Sequence, residues 1–168
     1  MVEDCGESVF GLCRKLAFSP ADAEDLFQDT FLRAVECRDK IDRDGNPRAF
    51  LLGLCVKTWQ SGKRRFARRQ RIAPTQPLEE EATSLPADFG DPQEQLWAQE
   101  RIHALRECCA ALDDKRRVVV YLHYGADLTV AEIAAALQMP PGTVKSRLHK
   151  ARQTLKNEME ARGYETQA

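Results

Sequence analysis

The sequence has no apolar run near the roughly eighteen residues that a membrane-spanning helix requires, and its N-terminus lacks a basic segment followed by an apolar one. We therefore expect a cytoplasmic chain with no membrane insertion. Its six cysteines form no C-x-x-C pair, and its three histidines do not complete a zinc-binding spacing. The sequence consequently predicts neither a metal site nor a cofactor.

The cysteines themselves fall into two groups. Cys13 and Cys55 lie on predicted apolar stripes and are expected to be small core residues. The adjacent Cys108 and Cys109 could act as a thiol sensor, but neighbouring cysteines form a strained disulfide, and Cys109 fits a core position on a helix. A redox sensor is therefore kept only as the most distant of three functional hypotheses.

Charge is nearly balanced over the 168 residues, at a net −1, but it is sorted into blocks. Residues 61–71 contain six basic side chains and no acidic one, whereas residues 73–99 contain six acidic side chains and no basic one. Residues 72–91 also carry three prolines and show neither helical nor strand periodicity, which predicts a flexible acidic linker. We therefore expect two small domains, at residues 1–71 and 92–168.

Residues 128–155 show the pattern of a helix-turn-helix. Thr129 and Glu132 fit a capping box for a first helix, and residues 138–140 break that helix. Pro141 suits the first turn of a second helix, because proline has no amide hydrogen to leave unpaired there. The second helix has its own apolar stripe, formed by Val144, Leu148, Ala151 and Leu155.

The opposite face of the second helix is basic and polar, and residues 138–157 contain no acidic side chain. Such a face suits the major groove of DNA, where side chains reach base edges and cations hold phosphates. The alternative is a solvated basic face on an ordinary helical hairpin. The candidate DNA contacts are Thr143, Lys145, Ser146, Arg147, His149, Lys150 and Arg152.

These residues carry a resemblance to a known family. The segments EIA at 132–134, PPGTVKSRL at 140–148 and AR at 151–152 resemble the C-terminal DNA-binding region of bacterial sigma factors, above all the short extracytoplasmic-function (ECF) group. The resemblance implies that the second helix reads the minus-35 promoter element through the contacts named above. The motif alone does not separate a sigma factor from another regulator with a similar domain.

The first half of the chain begins with two predicted helices, one carrying Val9, Leu12, Cys13 and Leu16, and one running from about Pro20 to Val35. On the second helix, Ala23, Phe27, Phe31 and Ala34 are expected to face inward, while another stripe is formed by Asp25, Gln28, Asp29 and Leu32. No histidine or glycine-rich loop accompanies these carboxylates, so an enzyme is not predicted. A solvated acidic face is the simpler alternative.

A second resemblance bears on that stripe. The segment DAEDLFQDTFLRA at 22–34 resembles the sigma segment that docks on the polymerase clamp, which implies that Asp25, Gln28, Asp29 and Leu32 bind core RNA polymerase. Two family motifs in the family's order are more specific than either one alone.

A third helix is predicted from Asn46-Pro47, after the turn-forming residues 42–46, and should continue into the basic block. In the family this region captures and holds the opened minus-10 DNA. Trp59 and Phe66 are either stacking platforms for bases or ordinary packing residues. The resemblance assigns the minus-10 contacts to Phe50, Lys57, Trp59, Lys63, Arg64, Arg65 and Arg68.

Two positions depart from the usual family pattern, which has tryptophan where Phe50 stands and asparagine where Lys57 stands. Family members also usually have a longer segment before Val9, so we expect either a shortened first helix or a misassigned start codon. The sequence as a whole predicts an all-helical ECF-type sigma factor that binds core polymerase, promoter DNA and an anti-sigma factor, with no catalytic activity. The alternative is a helix-turn-helix regulator that never acts as a sigma subunit.

Overall fold

A computed structural model of the chain describes residues 2–40, 46–72 and 92–164, and within these residues the regular elements are all helical. The all-α prediction is confirmed. The predicted turn at 42–46 lies outside the described residues except for Asn46, and so does the predicted linker except for Ile72. The helices are α1 (Val2–Leu16), α2 (Pro20–Glu36), α3 (Pro47–Ile72), α4 (Pro92–Ala111), α5 (Asp114–Val120), α6 (Val130–Leu137) and α7 (Pro141–Ala161).

The chain forms two compact units that do not follow the order of the sequence. One unit comprises residues 1–82 and 121–141, and the other comprises residues 83–120 and 142–168. The sequence predicts two domains, at residues 1–71 and 92–168, that fold independently. The division into compact units does not test independent folding, so this stays a prediction. The two units are described separately below.

The core of the first unit is built from α1, α2 and α3. Val9, Leu12, Cys13 and Leu16 of α1 are all buried, as their spacing predicts. The α2 helix begins as predicted, because the Ser19 hydroxyl accepts a hydrogen bond from the backbone nitrogen of Asp22 and a proline follows the cap. Helix α3 contributes Leu51, Leu52, Cys55 and Val56 to the same core.

The inward face of α2 is rotated slightly from the predicted one. Ala23 and Ala34 are buried as expected, but Leu26 and Thr30 are buried between them. Phe27 and Phe31 are only half-buried, and their rings lie at the edge of the core in contact with each other, with centroids 4.7 Å apart. The Thr30 hydroxyl can be buried because it donates a hydrogen bond to the carbonyl of Leu26 at 2.6 Å.

Cys13 and Cys55 are fully buried, which confirms the prediction that they are core residues. The sequence did not predict that they meet, and their Sγ atoms lie 3.5 Å apart between α1 and α3. The hydrogen bond with Cys13 and burial together raise the pKa of the Cys55 thiol. Cys55 therefore stays protonated and behaves as a small hydrophobic side chain.

Residues 121–141 complete the first unit. A π-helical turn, Tyr121–Gly125, precedes α6, whose predicted capping box is present. The Thr129 side chain accepts from the backbone nitrogen of Glu132, and the Glu132 carboxylate accepts from the backbone nitrogen of Thr129. Helix α6 is followed by its C-cap residue Gln138, which adopts a left-handed conformation with φ 54°.

The second unit contains α4, α5 and α7. Ala104 and Cys108 of α4 pack with Met159 of α7, and Leu155 and Tyr164 cover this cluster. The placement of Cys109 in the core is therefore wrong, since Cys108 is buried and Cys109 only half-buried. The buried stripe of α4 runs through Ala104, Cys108 and Leu112, and leaves the apolar residues Ile102 and Leu105 exposed.

The composition of residues 118–122 also suits a strand, but these residues are helical and span the end of α5 and the start of the π-helical turn. Helix α5 is fixed at its start by two ion pairs, between Arg116 and Asp113 at 2.9 Å and between Arg117 and Asp114 at 2.7 Å.

Across the described residues, no helix combines the length and apolar content of a membrane span.

Candidate nucleic-acid and polymerase interfaces

The first candidate surface lies on α7, where one face is buried and the other is open to solvent. Val144, Leu148 and Ala151 are buried, as the apolar spacing predicts. Thr143 and Arg147 are half-buried at the margin of the open face. The exposed members of the predicted minus-35 set are Lys145, Ser146, His149, Lys150 and Arg152.

An open groove beside this face lies between α7 and the start of α5. Gly142, Thr143, Ser146, Arg147 and Lys150 line one side of the groove. Asp113, Asp114, Lys115 and Arg116 line the other. Sequence reasoning missed Lys115, which is exposed and adds a positive charge near the basic face from a segment outside the motif. No local sequence signal identifies it, because its position depends on how α5 packs.

Chemically, the α7 face can bind a polyanion without rearranging its own core. A helix with its buried stripe on one side and cations on the other can enter the major groove, since the groove accepts a helix and presents base edges to it. Lysine and arginine side chains at the flanks can hold phosphates, while residues near the start of the helix reach bases.

The second candidate surface lies on α3, and its predicted minus-10 residues are in several different environments. Phe50 and Lys57 are half-buried, and Arg64, Arg65 and Arg68 are exposed. The Lys57 ammonium donates a hydrogen bond to the side-chain oxygen of Gln138 at 2.9 Å. The sequence did not predict this contact, because the two residues are 81 positions apart.

The two aromatic residues of α3 differ in burial. Trp59 is only 6% exposed, and the ammonium of Lys63 lies 4.9 Å from the centroid of its ring. Phe66, by contrast, is 57% exposed. Trp59 is therefore a packing residue in this conformation. Phe66, in contrast, presents an exposed ring among the arginines and is available to stack on a base. The side chains of Arg69 and Arg71 lie outside the described residues.

The third candidate surface is the predicted docking stripe of α2. Asp25, Gln28 and Asp29 are exposed, and Leu32 is 64% exposed although it is apolar. Val35, a residue that the sequence reasoning did not include, is exposed to a similar extent. Exposed apolar residues beside carboxylates fit a surface for protein partners better than a purely solvated acidic face.

The part of the chain that the structure describes contains no candidate metal-binding site. No group of three or more histidine, cysteine, aspartate or glutamate side chains there is arranged to hold an ion.

Comparison with known proteins identifies both halves of the chain. The family model for sigma-70 region 2 matches residues 1–71, and that for sigma-70 region 4 matches residues 102–155. The chain is 33% identical over 159 residues to an RNA polymerase sigma-E factor of Streptomyces avermitilis, covering 92% of this chain and 80% of that protein. It is 26% identical over 157 residues to the ECF RNA polymerase sigma factor SigW of Bacillus subtilis, covering 91% and 83%.

Among solved structures, the fold is similar to that of the sigma factor RpoE from Bartonella quintana, crystallised in complex with the anti-sigma factor NepR. The TM-score is 0.77 at 22% sequence identity, and the match covers 95% of this chain and 94% of that one. CnrH in complex with the cytosolic domain of CnrY is similar with a TM-score of 0.65, at 21% identity over 95% of this chain and 85% of that one.

Proposed function

The chain belongs to the sigma-70 family, in its ECF group, and from that premise we propose how its three surfaces divide the work of promoter recognition. As an ECF sigma factor it binds core RNA polymerase and directs promoter-specific initiation of transcription. The roles assigned to individual residues below are our proposal. We also propose that the chain has no catalytic activity of its own and acts only as a specificity subunit.

In this proposal α2 docks on the polymerase. Asp25, Gln28 and Asp29 are exposed in one stripe and complement a basic partner surface, while Leu32 supplies apolar contact. Within the structure, this stripe is the single observation that supports docking on polymerase, because a plain DNA-binding protein has no use for an exposed acidic and apolar stripe.

The two DNA elements are assigned to α3 and α7. Residues 1–71 would form the domain that opens and holds minus-10 DNA, through the exposed Arg64, Arg65 and Arg68 with the open ring of Phe66. Residues 92–168 would form the domain that reads minus-35 duplex through the face of α7. Residues 72–91 would then be an acidic linker, which DNA repels and a basic channel of the polymerase attracts.

An anti-sigma factor is the proposed regulatory partner. Two of the similar solved structures are complexes, one of the sigma factor RpoE with the anti-sigma factor NepR and one of CnrH with the cytosolic domain of CnrY. A partner of this kind would hold the sigma factor away from polymerase or DNA until a signal releases it.

The direct test is transcription in vitro. Purified chain is added to core polymerase that lacks any sigma factor, with genomic DNA of the source organism as template, and the transcripts are sequenced. We expect transcripts that begin at a limited set of promoters sharing minus-35 and minus-10 elements. A chain that binds duplex DNA as a stable dimer at a palindrome, without stimulating core polymerase, would support the regulator instead.

A further inference from the structure

Two thiols face each other inside the three-helix core of the first unit. The Sγ atom of Cys13 on α1 lies 3.5 Å from the Sγ atom of Cys55 on α3, and both residues are fully buried. A disulfide joins its sulfur atoms at about 2.05 Å, so the pair is roughly 1.5 Å from bonding distance. Because the two sulfur atoms are already in contact, a small change in side-chain torsion or helix separation brings them together.

The third helix of this core reaches the same pair. Hydrogen bonding with Cys13 and burial raise the pKa of Cys55, and hydrogen bonding by the buried Thr30 of α2 acts in the opposite direction. All three helices therefore meet at the two sulfurs. A bond between Cys13 and Cys55 would join α1 to α3 and close a loop that contains the whole of α2.

The two thiols are chemically unequal. A hydrogen bond with Cys55 lowers the pKa of Cys13, whereas the same hydrogen bond raises the pKa of Cys55. The proton of the pair therefore stays with Cys55, and Cys13 is the sulfur that more readily becomes a thiolate. Since the thiolate is the form that attacks an oxidant, Cys13 is the nucleophile of the pair.

A second buried cysteine contact shows why the first one is distinctive. In the other unit, the Sγ atom of Cys108 lies 4.0 Å from the Sδ atom of Met159. Methionine sulfur is a thioether and cannot form a disulfide, so this contact is packing alone. The adjacent Cys108 and Cys109 would form a strained bridge. The pair between α1 and α3 has neither restriction.

An oxidant must reach sulfurs that are closed to solvent, and α1 provides the route. Gly11 lies two positions before Cys13, and a Cβ atom there would meet nothing within 4 Å. Glycine in a helix interior weakens the helix relative to alanine, and here no close packing requires it. Transient opening of α1 is therefore easier than it would be with alanine at this position.

We propose that Cys13 and Cys55 form a redox-active dithiol, which a peroxide converts into a disulfide that locks α1 to α3. The Cys13 thiolate attacks one oxygen of hydrogen peroxide, the O–O bond breaks, and Cys13 becomes a sulfenic acid as the hydroxide takes up a proton. The Cys55 sulfur then attacks the Cys13 sulfur and the S–O bond breaks. The departing hydroxide takes the Cys55 proton, so two thiols and one peroxide give one disulfide and two waters.

This modification goes beyond the proposed function and does not depend on it. The disulfide restricts the unfolded chain, because the closed loop runs from Cys13 to Cys55, and so it stabilises the first unit. The docking stripe of α2 lies on the exposed face of the enclosed helix. Oxidation should thus protect the fold while leaving that surface open.

The direct test is a peptide map of the wild-type chain after treatment with hydrogen peroxide. The free thiols are alkylated in denaturant, and the chain is cut with trypsin and Glu-C, which gives peptides 8–14 and 49–57 with one cysteine each. We expect these two peptides to be linked, two hydrogen atoms lighter than their reduced sum. If Cys13 and Cys55 both remain alkylated after peroxide has oxidised the half-buried Cys37 and Cys109, the proposal is overturned.

The route through α1 has a matched pair of variants. Gly11→Ala should slow formation of the linked peptides roughly fivefold, because alanine makes opening of α1 less favourable. Gly62→Ala also adds a methyl group where no atom lies within 4 Å, but it lies about 10 Å beyond Cys55 along α3 and should not change the rate. Equal rates in wild type and Gly11→Ala would overturn access through α1.

The locking effect is measured by urea unfolding, followed by circular dichroism before and after peroxide. We expect the midpoint of wild type to rise by roughly 1 to 2 M urea and to return on reduction with dithiothreitol. Cys5→Ala, which removes a buried thiol of the same helix, should behave like wild type, whereas Cys55→Ala should show no rise. Linked peptides without a rise in the wild-type midpoint would overturn the locking, and this outcome does not require Cys55→Ala to fold.

Discussion

The two helices proposed to contact promoter DNA, α3 and α7, differ in what their cationic side chains already touch. On α3, Lys57 is bonded to Gln138 and Lys63 lies over the ring of the buried Trp59. On α7, Lys145 and Lys150 are exposed, and the residues that hold the helix in place lie on its opposite side. Cationic side chains of the α3 surface therefore take part in contacts within the protein, whereas Lys145 and Lys150 of the α7 surface are exposed to solvent.

This difference determines what a substitution can report. A change on α7, or on the exposed stripe of α2, should alter binding and leave stability nearly unchanged. A change at the engaged positions of α3 should alter stability and binding together, so binding measurements there need a folding control. The four predictions below test this contrast, in order of decreasing expected effect.

The largest effect should come from Trp59→Ala. The ring is buried in the first unit, so its removal should lower the free energy of unfolding by about 3 to 5 kcal/mol. Phe66→Ala, two helical turns further along α3 and exposed, should change the stability by less than about 0.5 kcal/mol. Urea titrations followed by circular dichroism would measure both. Equal losses for the two variants would contradict the division of the aromatic residues into one packing and one open ring.

The next largest effect should come from reversing charge on α2. Asp25→Lys combined with Asp29→Lys places like charges against a basic partner surface, and should weaken binding to core polymerase by roughly two orders of magnitude or more. Folding should be nearly unaffected, because both positions are exposed and lysine has good helix propensity. Fluorescence titration of core polymerase would measure the affinity.

The control for that experiment is Glu7→Lys, which reverses an exposed charge on α1, outside the docking segment at 22–34. It should leave the affinity for polymerase within about threefold of wild type, since a charge outside the contact acts only through screened, long-range attraction. A folded double variant that binds polymerase as tightly as this control would refute the docking role of α2.

The sequence predicted the local features of this fold well, and for identifiable physical reasons. Capping is a short-range interaction, so the pair Thr129 and Glu132 before α6 could be identified from spacing alone. The buried stripes of α1 and α7 followed from helical periodicity in the same way. The assignment of the chain to its family followed from two motifs that are also local.

Contacts between distant residues could not be predicted in this way. The pairs Cys13 with Cys55, Asn46 with Glu132 and Lys57 with Gln138 each join segments at least 42 positions apart, and no periodicity encodes which faces will meet. The error at Cys109 has a related cause. Cys108 and Cys109 are adjacent and equally apolar, so the packing of α4 against α7, where Cys108 meets Met159, decides which one faces the core.

A moderate effect is expected on α7. Replacing Lys145 or Lys150 with alanine should weaken binding to promoter duplex by about 1 to 3 kcal/mol if the side chain reads a base, and should lower the salt dependence by roughly one counterion if it holds a phosphate. Stability should be unchanged. Fluorescence anisotropy at several salt concentrations would measure both quantities.

Lys156→Ala is the matched control for these variants, because Lys156 is exposed on the same helix but lies beyond the proposed contacts and faces Glu160. It should leave both the affinity and the salt dependence unchanged. If the double variant of Lys145 and Lys150 behaves like this control, the assignment of the α7 face to DNA is wrong.

The smallest effect should come from Glu132→Gln, at the point where α6 meets α3. Hydrogen bonds from the Thr129 backbone and side chain, and from Asn46, hold the pKa of the Glu132 carboxyl below its ordinary value of 4.5. Because the folded-state pKa is lowered, the stabilising contribution of the Glu132 carboxylate is complete above about pH 4.5 and is lost as the pH falls through the folded-state pKa.

Glutamine at position 132 keeps the capping-box geometry but does not titrate. The variant should therefore be less stable than wild type near neutral pH by less than about 1 kcal/mol, since the carboxylate is well exposed to solvent and its interactions are screened. The difference should shrink on acidification below pH 4.5, as Glu132 of the wild type becomes protonated. Urea midpoints at several pH values, with Glu24→Gln as the control, would measure this change. A difference that stays constant across the acidic range would mean that the charge of Glu132 adds nothing to the contact between α6 and α3.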